Sequence, residues 1–488
     1  MRFAIGMLVV CMACSAGGVP GAWHPPLAVP AISSDLTRDQ QIDHALSRLT
    51  FGPRPGDARH VRSLGLERWI AQQLVPDRIG DRRSDSLLSK YHGLNMPASQ
   101  IAALYREAQA ARRQGAAAQR DSTAPAMRAD RMQNPRRELQ LTLTQVSSAK
   151  LLRAVVSERQ LYEQMVDFWE NHFSVYAGKG QTRLFIPAYD RDVIRPRALG
   201  SFRELLGAVA KSAAMLFYLD NARSVADSAH RTLGTNRLRI RRRGARGLNE
   251  NYARELLELH TLGVDGGYTQ HDVIEVARAL TGWSIDQREG AFVFRPAAHD
   301  ADAKTVLGHE LKAGRGIEDG EDVLDIVARH PSTARYITRK LAIRFVSDTP
   351  PASLVDRCAA VFQAKDGNIR QTLQCVITSP EFFSKAAYRA KVKTPFELVA
   401  SAFRATGAVP DGTPRATQIV TRLGQPIFGR QTPDGWPDVG EEWMNAGAMV
   451  NRVNFGLTLA SRRVPGVVVP PVDPAVATML TSPAFQRR

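Results

Sequence analysis

Hydrophobic residues recur along this chain mostly at the three- and four-residue spacing of amphipathic helices. One early stripe consists of Ile42, Ala45, Leu46 and Leu49. A later segment carries its own boundary signals, because Thr269 can cap a first turn together with Asp272 and Gly282 follows the last apolar residue. The pattern predicts a mainly α, multi-helix globular fold.

A short stretch near residues 291–308 departs from the helical spacing. Phe292 and Phe294 alternate with Val293, which is the two-residue period of a strand. The segment Thr305–Leu307 has similar strand-forming composition. We therefore expect these two segments to pair in a small β-hairpin.

Turn signals and shifts in composition divide the rest of the chain. We expect N-terminal helices over 35–104, a basic Ala/Arg-rich excursion over 105–137 that is either a charged helix or flexible, and a central helical core over 138–310. C-terminal helices should follow over 311–462, and the Pro/Val-rich residues 463–488 are predicted to form a disordered tail.

The N-terminus differs in composition from everything after it. Arg2 precedes an apolar run from Phe3 to Ala13, and small residues follow through Ala22. This order predicts a secretory signal peptide over residues 1–22, and hence an exported, periplasmic or secreted protein. A buried first helix is the alternative, and Cys14 leaves lipidation open. No internal span is apolar enough for a transmembrane helix.

Charge adds an expectation about partners. The chain of 488 residues has a formal net charge of +17, concentrated between Arg106 and Arg137 and between Arg237 and Arg246. In an exported protein such segments would meet an anionic lipid surface or an acidic envelope polymer, and we expect no specific nucleic acid. Solvated loops without a partner are the alternative.

Two cysteines remain after removal of the signal peptide. Cys358 and Cys375 lie about equally far from the turn at Asp366–Asn368, one in each of two helical patterns. A helical hairpin would bring them together, so either a disulfide or two buried free thiols is compatible with the sequence.

His172 is the first candidate for chemistry. On a helical wheel it falls at the centre of an apolar arc beside Phe168, whereas Asp167 and Asn171 share the opposite face. A buried histidine needs partners for its ring nitrogens, so His172 is either a hydrogen-bonded core residue or a ligand or proton-transfer group.

A second helix carries Glu255 and His260. Glu255 falls inside the edge of an arc of leucines, and His260 flanks the other side. A carboxylate in that position should meet a cation, a metal or a proton donor.

A loop between the two predicted strands adds His299 and Asp300. Neither of the usual helical metal-binding spacings occurs, so a divalent transition metal could be bound only by ligands from separate elements. His44 is a weaker candidate and is predicted to lie on a helix surface.

Several of these motifs together resemble the bacterial domain-of-unknown-function family 1800. The similar segments are 44–57, 168–173, 247–263, 268–270, 280–283, 299–300 and 433–438, of which the run Asn249–Glu255 is the most specific. The resemblance implies an exported helical protein, often encoded beside a secreted sulfatase-like protein that could be its partner, but no established activity or cofactor. Arg197 and Ser212–Ala213 depart from the expected His and His-Pro.

Two functions remain open from the sequence. The favoured one is a non-catalytic envelope or secreted binding or assembly protein in which the polar residues form a core network. The alternative is a metal-assisted or acid/base hydrolase that uses His172, Glu255, His260, His299 and Asp300.

Overall fold

The computed structural model describes residues 29–118, 127–233 and 247–488, with side chains omitted for 114–118 and 127–134. The predicted signal peptide and the arginine run 237–246 lie outside these ranges. The first ten helices are α1 (Arg38–Leu49), α2 (Asp57–Leu64), α3 (Leu66–Gln73), α4 (Arg82–Leu88), α5 (Ala98–Ala118), α6 (Met127–Val156), α7 (Gln160–His172), α8 (Thr182–Ala188), α9 (Phe202–Ala210) and α10 (Ala213–Tyr218).

Helices also dominate the C-terminal half, which confirms the mainly α prediction. They are α11 (Glu250–Glu255), α12 (Gln270–Ala279), α13 (Glu318–Arg329), α14 (Pro331–Phe345), α15 (Ala352–Ala364), α16 (Ile369–Ile377), α17 (Pro395–Thr406), α18 (Pro414–Arg422), α19 (Ala446–Ala460) and α20 (Pro474–Thr481). Single π-helical turns follow α8 at Tyr189–Ile194 and α11 at Leu256–Thr261.

Local sequence explains where these helices begin. The predicted capping box of α12 is present, with Thr269 and Asp272 satisfying each other's backbone N–H groups. Helix α17 has the same device from Thr394 and Glu397, followed by Pro395 in its first turn. Both helices therefore have fixed starting points.

The described strands form three antiparallel pairs. Small hairpins near residues 291–308 are thus confirmed, but the two segments predicted to pair do not pair with each other. Strand β1 (Trp283–Asp286) pairs with β2 (Ala291–Phe294), and β3 (Lys304–Val306) pairs with β4 (His309–Leu311). The third pair is β5 (Val409–Pro410) with β6 (Val467–Val468). The predicted strands exist, but each pairs with its nearest neighbour along the chain, since short turns close hairpins locally.

The expected disordered tail after residue 463 is folded. It contains β6 and α20, and the C-terminal Arg488 is buried with its guanidinium 3.0 Å from Glu397 Oε1. A Pro/Val-rich composition suggested disorder, but tertiary burial of Phe485 and Arg488 orders the segment.

A disulfide joins Cys358 on α15 to Cys375 on α16. The two helices form the predicted hairpin around Asp366, and the Cα atoms of the two cysteines are 5.7 Å apart. Of the two alternatives that the sequence left open, the structure therefore has the bonded pair.

One large hydrophobic core extends from α1 to α20. Helix α7 lies inside it with both faces buried: Phe168, Trp169 and His172 pack on one side, and Gln164 and Glu170 are buried on the other. This double burial creates the polar site described below. Among the helices of the described ranges, none has both the length and the apolar character needed to cross a membrane.

Candidate functional site

The structure brings together two of the five predicted site residues. His172 ends α7 and His260 lies in the π-helical turn after α11, with their ring centroids 6.4 Å apart. His172 Nε2 donates to the backbone carbonyl of His260 at 3.1 Å, and Phe173 packs against both rings. Burial lowers the pKa of both histidines, that of His260 to about 3, so both rings are neutral near pH 7.

Glu255 ends α11, just before the π-helical turn that carries His260. It is half-buried, and within the described ranges its carboxylate has no hydrogen-bond or ion-pair partner. Burial, assisted by the charge of Glu258, raises the pKa of Glu255 to about 6. No described side chain forms the hydrogen bond or ion pair that the sequence led us to expect for Glu255.

His299 and Asp300 belong to a different, fully buried cluster. His299 Nε2 lies 3.3 Å from Asp319 Oδ2, and Lys304 Nζ donates to the same oxygen at 2.7 Å. Asp300 accepts two hydrogen bonds from Arg278. These ion pairs tie the loop after β2 to α12 and α13, and no described contact joins them to His172, Glu255 or His260.

The described residues contain no group of three or more His, Cys, Asp or Glu side chains that could hold a metal ion. His44, expected on a helix surface, is instead buried against Phe382 and Phe383. Burial lowers the pKa of His44 to about 3, and its ring is a core element.

A pocket that the sequence did not reveal lies on the other side of α7. It encloses about 40 Å³, which is room for a few water molecules. We call it the Trp436 pocket; its lining comes from α6, α7, α14, α17 and the segment after α18, and comprises Lys150, Asp167, Glu170, Asn171, Ser174, Val175, Arg344, Thr394, Phe396, Gln425, Ile427, Phe428, Arg430, Trp436, Pro437 and Asp438.

Ion pairs, together with a hydrogen bond from Lys150 to Glu170, form the inner wall of the Trp436 pocket. Lys150 Nζ lies 2.8 Å from Asp167 Oδ1 and 2.7 Å from Glu170 Oε2, and it faces the rings of Phe396 and Phe428. The guanidinium of Arg344 contacts Asp167 at 2.9 Å. These partners offset the cost of burying the charges and hold the wall rigid.

Glu170 keeps its proton near neutral pH. Burial raises its pKa to about 8 despite the opposing charge of Lys150, and the neighbouring carboxylate of Asp190 acts in the same direction. Asp190 is the charged member, since Arg195 donates to it at 2.9 Å. Glu170 Oε1 has no donor within the described ranges. A proton on Glu170 can be shared with the Asp190 carboxylate, which raises the pKa of Glu170 and lowers that of Asp190.

The outer wall is the loop Thr432–Asp438, which we call the Trp436 loop. Asn171 Nδ2 donates to the carbonyl of Trp436 at 2.8 Å, and the Trp436 N–H donates back to Asn171 Oδ1 at 2.7 Å. Gly435 has φ +79°, and a Cβ there would lie 2.3 Å from the Asn171 carbonyl oxygen. Only glycine permits this approach.

Aromatic contacts orient the Trp436 ring. The Arg430 guanidinium lies 5.6 Å from the ring centroid, and the ring of Trp443 lies 5.9 Å away. The Trp443 indole N–H donates to the carbonyl of Pro437 at 3.0 Å. The loop thus holds a half-buried indole over a polar pocket.

The sequence contained one signal for this site. Asp167 and Asn171 share a face of α7 with Gln164, and a polar helix face normally meets solvent. Lys150 and Arg344, which make the face a buried wall, lie on helices far away along the chain, so periodicity within α7 could not identify them.

Comparison with known families adds one finding. A family model described as "Protein of unknown function (DUF1800)" matches residues 44–487, which includes both α7 and the Trp436 loop. Neither the curated proteins nor the solved structures contain a match to the chain.

Proposed function

The chain belongs to the DUF1800 family, whose description names no activity. We therefore propose a function from the geometry of the Trp436 pocket. In this proposal the protein is an exported envelope or secreted binding protein. One residue of an acidic glycan lies at the mouth of the pocket, and only its carboxylate or a hydroxyl group enters the small volume inside. The observation that carries the proposal is the position of Trp436: Asn171 holds its backbone beside a rigid polar pocket, and Arg430 and Trp443 contact its half-buried indole.

Pairing of the charges favours recognition over catalysis in this pocket. Lys150 is held by Asp167 and Glu170, and its pKa is raised, so it is no general base near neutrality. Arg344 is held by Asp167 and Glu397. Groups fixed in this way present donors at set positions, as a binding site requires.

Charge and surface chemistry favour an acidic sugar. An indole face suits the apolar face of a sugar ring, and the amides of Asn171 and Gln425 suit hydroxyl groups. Lys150, Arg344 and Arg430 supply cationic donors to the lining, each held by an ion pair: Lys150 and Arg344 with Asp167, and Arg430 with Asp434. The net charge of +17 would also attract an anionic polymer.

The arginine-rich segments would supply that long-range attraction. Export through the N-terminal 22 residues would place the protein beside such polymers, and a co-encoded sulfatase-like protein remains the proposed partner.

Calorimetric titration with trigalacturonate tests the proposal, with neutral maltotriose as the control ligand. We expect binding of trigalacturonate only, weakened about tenfold or more in Trp436→Leu because a stacked ring contributes on the order of 1–2 kcal/mol. Arg357→Gln, which breaks an exposed ion pair with Glu381 away from the pocket, should bind as the wild type does. Equal affinity for both sugars, or full affinity in Trp436→Leu, would contradict the proposal.

An acid/base hydrolase is the second candidate, and Glu255 alone favours it. A half-buried carboxyl with a pKa near 6 can exchange a proton near neutrality. If Glu255 has this role, Glu255→Gln should abolish release of reducing ends from acidic oligosaccharides while sugar binding persists. Undiminished release in a folded Glu255→Gln protein would exclude it.

A further inference from the structure

A second cavity, of about 340 Å³, lies away from the Trp436 pocket, between α17 and the C-terminal segment. Its wall includes Ser47, Pro53, Arg54, Ser401, Phe485 and Arg487. The volume is enough for a small acyl or ester group. Because Lys393 also lines this space, the cavity brings a hydroxyl and an amine to one surface.

Lys393 Nζ lies 2.8 Å from Ser401 Oγ. The backbone around Lys393 is fixed, since its N–H donates to Gln486 at 2.9 Å and its carbonyl accepts from Arg452 at 2.9 Å. Ser401 is equally fixed, because it lies in the middle of α17, whose start Thr394 caps. The Ser–Lys contact is therefore set by the fold.

Lys393 differs from the other buried lysine nearby. Lys391 is paired with the carboxylate of Asp348, whereas no described carboxylate lies within ion-pair distance of Lys393, and its nitrogen instead faces the Phe485 ring at 3.7 Å. Burial lowers the pKa of Lys393 to about 7; the charges of Arg488 and Arg389 act in the same direction and those of Glu397 and Asp43 oppose it. The neutral amine form of Lys393 is therefore accessible near pH 7.

Gly52 leaves room for the hydroxyl. It has φ +101°, and a Cβ there would come within 2.5 Å of Ser401 Oγ. The serine thus contacts bare backbone on one side and the cavity on the other. Any side chain at position 52 would displace the hydroxyl.

We propose that Ser401 and Lys393 form a nucleophile–base pair that hydrolyses a carboxylic ester bound in this cavity. Neutral Lys393 removes the Ser401 proton as Oγ bonds to the ester carbonyl carbon, and the resulting ammonium returns that proton to the departing alcohol as the ester C–O bond breaks. Water then adds to the acyl-serine with Lys393 again accepting a proton, the Oγ–C bond breaks, Ser401 regains its hydrogen, and the carboxylic acid leaves.

The positive side chain of Arg487 at the cavity wall, which has no ion pair among the described residues, favours the oxyanion that forms at each addition step. This activity goes beyond glycan binding and uses a different cavity, so the two proposals can fail separately.

The test is covalent labelling of the full chain with an alkyl fluorophosphonate, which phosphonylates activated serines, followed by peptide mapping. We expect one adduct, on Ser401, lost in Ser401→Ala and kept in Ser47→Ala, whose serine lines the same cavity. The labelling rate should rise about tenfold from pH 6 to pH 8, because deprotonation of a lysine with a pKa near 7 supplies the base. Trp436→Leu should label as fast as the wild type.

Peptide mapping of the wild type does not depend on whether any variant folds. No adduct on the folded wild type, an adduct only at other residues, or a rate on Ser401 that does not change between pH 6 and pH 8 would each overturn the proposal.

Discussion

Glu170 shows how burial decides the state of a single residue. A carboxyl beside an ammonium normally ionises, but here Asp167 already neutralises Lys150 and charged Asp190 lies on the other side. Loss of solvent then outweighs the remaining attraction, and the pKa rises to about 8. The inner wall of the Trp436 pocket is therefore less negative than its composition suggests.

This state predicts a pH-dependent effect of Glu170→Gln. The native state holds a proton on Glu170 from its unfolded pKa of 4.5 up to about pH 8, so wild-type stability from this group is present below pH 4.5 and lost as pH rises to 8. Glutamine imitates the protonated form and does not titrate. The free energy of unfolding of Glu170→Gln minus that of the wild type should therefore increase by on the order of a few kcal/mol from pH 5 to pH 8.

Urea denaturation at pH 5, 6, 7 and 8 measures this difference. Glu67→Gln is the control: its carboxylate is partly exposed beside Arg38 and has a lowered pKa. Between pH 5 and pH 8 it is mostly ionised in both states, so its difference should stay nearly constant. A constant difference for Glu170→Gln as well would show that Glu170 is ionised in the native protein.

Single-residue predictions from the sequence succeeded where one helix face decided the outcome. His172 is buried as its place at the centre of the apolar arc predicted, and it donates to a backbone carbonyl. The prediction that His44 lies on a helix surface was wrong, because the aromatic residues that cover it come from a segment more than 300 residues away along the chain. The roles proposed for His172, Glu255, His260, His299 and Asp300 stay predictions.

Among the elements, the Trp436 loop depends on one backbone conformation. Gly435→Ala should detach the loop from α7, since the new Cβ would collide with the Asn171 carbonyl as well as occupy a strained φ. Gly424→Ala is a matched control, because Gly424 has φ +102° but open space around its Cβ position. We expect about 1–2 kcal/mol of destabilisation for the control and more for Gly435→Ala.

Limited proteolysis and tryptophan emission report the state of the loop. Cleavage within 430–438 and red-shifted emission should appear in Gly435→Ala and not in Gly424→Ala. Identical behaviour of the two variants would mean that contact with Asn171 does not hold the loop.

The hairpin of α15 and α16 makes a second prediction at this scale. Its disulfide closes a loop of 17 residues, so Cys358→Ser with Cys375→Ser should lower the free energy of unfolding by about 3 kcal/mol. Thermal unfolding of the double variant and of the oxidised wild type measures this loss. Non-reducing peptide maps check the bond, and two free thiols in the wild type purified under oxidising conditions would contradict the pairing.

Helices were easier to predict than strand pairs. Spacing and caps located α1, α12 and the helical hairpin, because those signals lie within a few residues of each other. The predicted strand partners were wrong. Composition identified β2 and β3 as strands, but it could not show that β2 pairs with β1 and β3 with β4.

At the scale of the whole molecule, ion pairs connect segments far apart along the chain. Arg344 on α14 contacts Asp167 on α7 and Glu397 on α17, and Glu397 also contacts the C-terminal Arg488. Such contacts depend on which helices meet, so the sequence supplied the charges without showing their partners. The Trp436 pocket is a product of this assembly, which is why the sequence alone did not reveal it.

Hydrogen–deuterium exchange with and without trigalacturonate tests the central claim most directly. The account predicts slower exchange on binding in two segments, 164–175 in and just after α7 and 430–438 around Trp436, because the sugar would contact both at the mouth of the pocket. Saturating trigalacturonate that leaves both segments unchanged, or protects only segments remote from the Trp436 pocket, would contradict it.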